Sequence, residues 1–228
     1  MTYDALLFDV DGVLLRHHRD HPTVYRQAIE ETFDRFGVSP SNDVLDAFIA
    51  GATIDEMRRA CADHDLDFVA FWAEREANAS RLQRGMMDRG ERVLFDDCAV
   101  LDELADANAM GVVSSNQHAT VEYMLKRFNL AHLFDAVYGR EPTVGGFRRT
   151  KPDAHYVERA MSDLDVAHGL YVGDSVCDVV AARRAGLDSA FVRRSHRDGY
   201  ALPEEPTHEI STLADLPDVP GVTAGSSG

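Results

Sequence analysis

The chain has 228 residues, 39 acidic against 23 basic side chains, and a formal net charge of −16. That length supplies one large domain or two small ones with a full core, and 45% hydrophobic residues exclude a disordered chain. The acid excess argues against a nucleic-acid partner, because phosphate backbones need a basic face, and no apolar run approaches a membrane span.

The first element is a short apolar strand over about Asp4 to Val10, whose run Ala5-Leu-Leu-Phe8 precedes Asp9 and Asp11, with Gly12 as the turn that ends it. These two acids interrupt the N-terminal apolar run, so neither a signal peptide nor an anchor is expected. Tyr25, Ala28, Ile29, Thr32, Phe33 and Phe36 then follow helical spacing, with Gly37 as the stop. Further helices are expected at Asn42 to Ala50, Asp55 to Asp63 and Asp67 to Arg84. After Gly90 the pattern alternates: helix Val100 to Ala109, strand Val112 to Ser114, helix Ala119 to Phe128, strand Ala136 to Tyr138. Helix Pro152 to Met161, strand Leu170 to Val172, helix Val176 to Ala185 and strand Ser189 to Val192 complete it. Such alternation means an α/β fold: a Rossmann-like parallel sheet with right-handed crossovers and helices on both faces. Residues 1–15 and 90–228 are expected to form this core, with a loose tail over 217–228, and residues 16–89 a helical insertion.

Two carboxylates as close as Asp9 and Asp11 repel each other unless a cation or a shared proton intervenes. In open parallel sheets ligands sit beyond the carboxyl ends of the strands, where both acids lie. Taken alone, the run is equally an Asp-Gly turn after a buried strand. A second strand, Gly169-Leu-Tyr-Val-Gly173, ends the same way in Asp174-Ser175-Val-Cys-Asp178. Between them a strand ends in Ser115-Asn116, and Lys151-Pro152-Asp153 stands at a helix start. These four segments in this order resemble the haloacid dehalogenase-like (HAD) hydrolase superfamily, whose motifs are DxD, a strand ending in Ser or Thr, a Lys, and GDSxxD. The resemblance runs along nearly the whole chain and is to the C1-capped, phosphoglycolate phosphatase-like phosphatases, the insertion matching their all-helical cap.

That resemblance implies a phosphatase for a small phosphorylated metabolite. Asp9 would be the nucleophile that forms an aspartyl-phosphate, and Asp11 the general acid and then base. Mg²⁺ would be held by the Asp9 and Asp174 carboxylates and the backbone carbonyl of Asp11. Ser115 and Lys151 would hold the phosphoryl oxygens, with Asn116 and Asp178 behind them; Asp178 is also placed to close a capping box with Ser175. Ser114 competes with Ser115 for the motif position, and the family's Ser-Asn pairing favours Ser115. A cap closes over such a site and reads the leaving group, which makes His17, His18, Arg19, Arg75, Arg81 and Arg84 candidate substrate contacts; Arg148 and Arg149, immediately before Lys151, are placed to meet an anionic substrate as well, or form a solvated loop.

Departures from the family pattern narrow the reading. An acid at Asp11 favours phosphoryl transfer over dehalogenation, since halide needs no proton to leave. Related sugar phosphomutases carry an Arg where this chain reads Ile54, which disfavours a mutase; a mutase or a catalytically idle binding protein of the same fold are the alternatives. Asp97-Cys98 stands where relatives often have Pro-Gly. Cys61, Cys98 and Cys177 form no CxxC pair, which points to a reducing cytoplasm and away from zinc. Only Lys126 and Lys151 among the basic residues are lysines, and with the acid surplus this suggests adaptation to high salt. A monomer or homodimer is expected.

Overall fold

The computed structural model describes residues 2–16 and 21–225. Six parallel strands form one sheet in the order β3-β2-β1-β4-β5-β6. They are β1 (Ala5–Phe8), β2 (Ala109–Gln117), β3 (Ala136–Arg140), β4 (Gly169–Gly173), β5 (Asp188–Val192) and β6 (His208–Ile210). The apolar β1 lies in the middle, with Leu7 opposite Gly111 of β2 on one side and Tyr171 of β4 on the other. It is buried on both faces, as its unbroken apolar run requires. Leu6 and Phe8 pack with Leu101 and Leu104 of α5 (Leu101–Ala105) and Val121 of α6 (His118–Arg127). Leu7 packs instead with Val157 and Ala160 of α8 (His155–Asp163) and Ala181 of α9 (Val176–Arg184). The two-residue period of a strand thus sets helices on both faces.

Between β1 and α5 the described residues form α1 (His21–Arg35), α2 (Asn42–Ile49), α3 (Ile54–Asp63) and α4 (Phe68–Asp88). Their ends are written in the sequence. Gly37 adopts a φ of +69° while the N–H of Val38 bonds back to the carbonyl of Phe33, closing α1 in a Schellman turn. Ser41, Thr53 and Asp67 cap the next three helices, Thr53 in a reciprocal box with Glu56. A separate apolar cluster of Ile29, Phe33, Phe48, Met57, Phe71 and Trp72 holds these helices together. Trp72 also meets Phe147 of α7 (Val144–Arg148), a short helix of the sheet domain.

The structure corrects several expected boundaries. The segment expected as one helix over Val100 to Ala109 is a 3-10 turn, Asp96–Val100, followed by α5 alone. The chain leaves the helix there because Asn108 folds its amide back onto the Leu104 carbonyl and Ala109 pairs with Ala5. Strand β2 runs on to Gln117, so Ser115 and Asn116 belong to the strand itself. The helix expected from Pro152 begins at His155, after a turn in which Asp153 accepts the His155 N–H. Helix α7 and strand β6 have no counterpart in the sequence reading.

Candidate active site

The four motifs converge at the carboxyl ends of β1, β2 and β4. Asp9 continues β1 by one hydrogen bond, from its N–H to the Val172 carbonyl (2.9 Å), which aims its side chain across the sheet end. Gly12 turns the chain away with a φ of +86°. Asp174 follows Gly173 directly. A Cβ at Gly173 would lie 2.3 Å from Cβ of Asp178, so only glycine lets Asp178 close in. Carboxylate oxygens of Asp9, Asp174 and Asp178 all lie within 4.8 Å of one another and all three residues are buried.

Lys151 balances this cluster. Its ammonium sits 2.8 Å from Asp9 Oδ1 and 2.6 Å from Asp178 Oδ1, with only 5% of the side chain exposed. It also donates to the Tyr171 hydroxyl (2.8 Å), which in turn donates to the Val113 carbonyl (2.6 Å). Burial pushes the Asp9 carboxyl up to about 7; Lys151 opposes the rise, and Asp178, Asp174 and Asp11 add to it. Burial alone would lower the Lys151 ammonium, but Asp178 and Asp9 outweigh it and raise its pKa well above the ordinary lysine value. Asp178 Oδ2 closes the capping box with Ser175 and accepts the Asp174 N–H, while Oδ1 faces Lys151.

Asp11 points elsewhere. Its carboxylate pairs with Arg92 and accepts from Asn116 Nδ2 (3.2 Å). Ser114 spends its hydroxyl on the Asn116 N–H (3.1 Å), whereas half-buried Ser115 uses its carbonyl to accept from Arg140 Nε (3.1 Å). Beyond the predicted set, Asp174 Oδ2 meets His196 Nε2 (2.7 Å) and Arg197 Nε (3.0 Å), on the turn after β5. Arg194 clamps the loop behind the acids, donating to the carbonyls of Gly12 (3.2 Å) and Val13 (2.7 Å). Both oxygens of Asp97 hold Arg194 in return, and Asp97 Oδ2 also accepts from the Leu213 N–H and the Thr212 hydroxyl. The residue that departs from the usual Pro-Gly turn is therefore the counter-charge of this clamp.

The candidate substrate contacts divide. Arg75 is buried and paired with Glu76 (2.6 Å). Arg84 turns to the other face of α4, donating to the Ala119 carbonyl and covering Tyr123, in a separate cleft of about 710 Å³. Arg149 folds onto its own helix end at the Gly145 carbonyl. Neither is brought to the acids by any contact among the described residues, because each finds a nearer acceptor on its own or the adjoining helix. His17 lies outside the described residues, as do His18 and Arg19. Arg92, Arg140, Tyr171, His196 and Arg197 escaped the sequence reading; only Arg140 carried a signal, at the carboxyl end of a parallel strand.

A family model described as haloacid dehalogenase-like hydrolase matches residues 6–192. The chain is 26% identical to the pyrophosphatase PpaX of Oceanobacillus iheyensis over 97% of its own length and 98% of that protein's. It is 28% identical to a phosphoglycolate phosphatase of Synechococcus elongatus, over 93% and 94% respectively. Among solved structures, CbbY from Rhodobacter sphaeroides in complex with phosphate superposes with a TM-score of 0.69 at 21% identity, covering 94% of this chain and 96% of that one. This chain belongs to the haloacid dehalogenase-like hydrolase family. It is a hydrolase of the HAD phosphatase class, a phosphomonoester hydrolase, on the α/β fold expected from its motifs. No helix among the described residues is long and apolar enough to cross a membrane.

Proposed function

We propose that the chain is a Mg²⁺-dependent phosphatase that hydrolyses a small organic phosphate monoester through an aspartyl-phosphate on Asp9, beneath a cap formed by residues 16–89. The buried group of Asp9, Asp174 and Asp178 carries this reading: three carboxylates held within 4.8 Å bring more negative charge than Lys151, beside Asp9 and Asp178, and Arg197, beside Asp174, supply together. Oxygen-only donors suit a hard divalent cation such as Mg²⁺. Asp9 and Asp174, with the backbone carbonyl of Asp11, would hold it, and when bound it supplies charge neutralisation and orientation for an anionic substrate.

The chain's own residues account for the remaining steps. Asp9, in its ionised form, attacks phosphorus, and Lys151 opposes the burial that raises its carboxyl to about 7. Lys151 and Ser115 hold the phosphoryl oxygens that gain charge in the transition state. Asp11, turned by Arg92 and Asn116 away from the Asp9 cluster, gives its proton to the departing oxygen and then takes one from the water that cleaves the acyl-phosphate. His196 and Arg197 hold one oxygen of Asp174, which fixes that carboxylate's orientation. Phosphate release across a panel of small phosphate esters, with and without Mg²⁺ and at low and molar KCl, tests the proposal. Hydrolysis that survives both chelation and Asp9→Asn would refute it.

A further inference from the structure

The turn after β5 carries arms to both halves of the acid cluster. Arg194, 8% exposed, reaches one half: Nε donates to the Gly12 carbonyl (3.2 Å) and Nη2 to the Val13 carbonyl (2.7 Å). His196 Nε2 (2.7 Å) and Arg197 Nε (3.0 Å) reach the other half at Asp174 Oδ2. The turn between these arms is tightly bonded. Its 3-10 segment, Ser195–Arg197, is closed by the Arg197 N–H on the Arg194 carbonyl (2.7 Å). Arg193 donates across it to the carbonyls of Arg197 (3.2 Å) and Tyr200 (3.0 Å).

Peptide geometry decides what the Arg194 arm fixes. The Asp11 carbonyl shares one planar unit with the Gly12 N–H, which donates to the Leu15 carbonyl (2.8 Å). The next unit carries the Gly12 carbonyl, taken by Arg194. Two successive planes are thereby pinned, and the Asp11 carbonyl points where they leave it. Arg194 is itself held: Asp97 takes it on both oxygens (2.9 and 3.1 Å), and its Cζ lies 3.5 Å from the centre of the Phe95 ring. The Thr212 hydroxyl and the Leu213 N–H hold Asp97 in turn. No buried polar side-chain atom of Arg194 or Asp97 lacks a partner among the described residues. A buried ion pair stabilises a fold little better than apolar residues of the same volume, whereas a fully satisfied polar network imposes one geometry. That rigidity matters to a cation. Mg²⁺ demands oxygens in near-octahedral positions and the larger Ca²⁺ accepts flexible ones, so the stiffness of a site decides between them.

We propose that the turn over 193–197 is a brace that sets the spacing between the Asp11 carbonyl and the Asp174 carboxylate, with Arg194 as the positioning residue that makes the site select Mg²⁺ over Ca²⁺. The inference rests on the metal reading given above, and Arg194 acts through the Gly12–Val13 loop. Calorimetry on the full chain, titrated with MgCl₂ and separately with CaCl₂, reads the ratio of the two affinities without turnover. Arg194→Lys keeps a charge beside Asp97 and loses the fork that serves two carbonyls and a carboxylate at once. It should weaken Mg²⁺ about tenfold or more and Ca²⁺ about threefold or less, narrowing the preference. Asp97→Asn should shift the ratio in the same direction. Thr212→Val removes only the hydroxyl bond to Asp97; it should shift the ratio by a smaller amount and decides the matter should both larger changes fail to fold. Phe33→Leu, in the apolar cluster of the helical insertion, lowers the melting point without touching the turn and should keep the parent's ratio. Equal losses for both cations in the folded brace variants, or a ratio that falls as far in Phe33→Leu, overturns the brace. A parent that binds neither cation overturns the metal reading and the brace with it, whereas a parent that binds Mg²⁺ and Ca²⁺ equally overturns the brace alone.

Discussion

Lys151→Met keeps the length of the side chain and removes its charge from beside Asp9 Oδ1 and Asp178 Oδ1. With the ammonium almost fully buried, breaking these pairs takes the cation from Asp9 and Asp178 while Asp174 keeps Arg197, a change worth about 3–5 kcal/mol. In a chain of this size each kcal/mol moves the thermal midpoint by about 2–4 °C, so the metal-free variant should melt about 6–20 °C below the parent at pH 7.5. The deficit should depend on pH in a fixed direction. The Asp9 carboxyl stands at about 7 in the folded protein against an ordinary 3.8, so between those values the folded state binds the extra proton and stability falls as pH rises. Removing Lys151 takes away the group that opposes this rise, extending the window upward; the variant should lose less at pH 5.5 than at pH 8. Differential scanning calorimetry with EDTA at the two pH values measures both terms. A deficit below about 1 kcal/mol at pH 8, or one equal at the two pH values, would show that the lysine does not neutralise the acids.

Asp9→Asn should abolish phosphoenzyme in single-turnover work, whereas Asp11→Asn should retain its formation from an activated aryl phosphate, whose leaving group needs little protonation; equal yields would contradict the division of roles. Mg²⁺ must displace the proton that Asp9 holds up to about pH 7, so calorimetric affinity should climb by up to about tenfold per pH unit below 7 and flatten above it, with proton release along the climb. His196→Gln and Arg197→Gln each remove one of two contacts on Asp174 Oδ2 and should weaken Mg²⁺ about tenfold or more in the same titration while the melting point without metal changes little. The −16 net charge predicts a thermal midpoint that rises from dilute buffer to molar KCl, as the Debye length shrinks to about 3 Å; a flat or falling midpoint would detach the acid surplus from salt.

The parts of the site legible in the sequence are those attached to short apolar strands. Ala5–Phe8 and Gly169–Gly173 announce themselves by hydrophobicity, and Asp9 and Asp174 are fixed as soon as the strands are. Lys151 was placed by its motif, although its partner Tyr171 was not, because a tyrosine in an apolar strand reads as core. Strand β6 is three residues long with a single buried one, Ile210, and α7 contains two glycines; neither has a period to detect. The pairing of Arg194 with Asp97, and of Arg140 with Glu76, joins residues distant in sequence through geometry that only the packed cap and sheet create. Hence the convergence of Asp9, Asp174 and Lys151 is legible in the sequence, and the pairing of the buried arginines with Asp11, Glu76 and Asp97 is not.

The sheet order has a consequence for how the chain is made. Strand β1 is central, yet its two neighbours begin at Ala109 and Gly169, so the segment bearing Asp9 leaves the ribosome long before anything exists for it to pair with. The helices α1 to α4, by contrast, find most of their apolar partners among themselves. The order of synthesis therefore favours a helical insertion that assembles early, tethered to an unpaired hydrophobic strand, and an acid cluster that stays open until Asp174 emerges. The clamp on Gly12 and Val13 closes later still, once Arg194 and then Thr212 and Leu213 have been added.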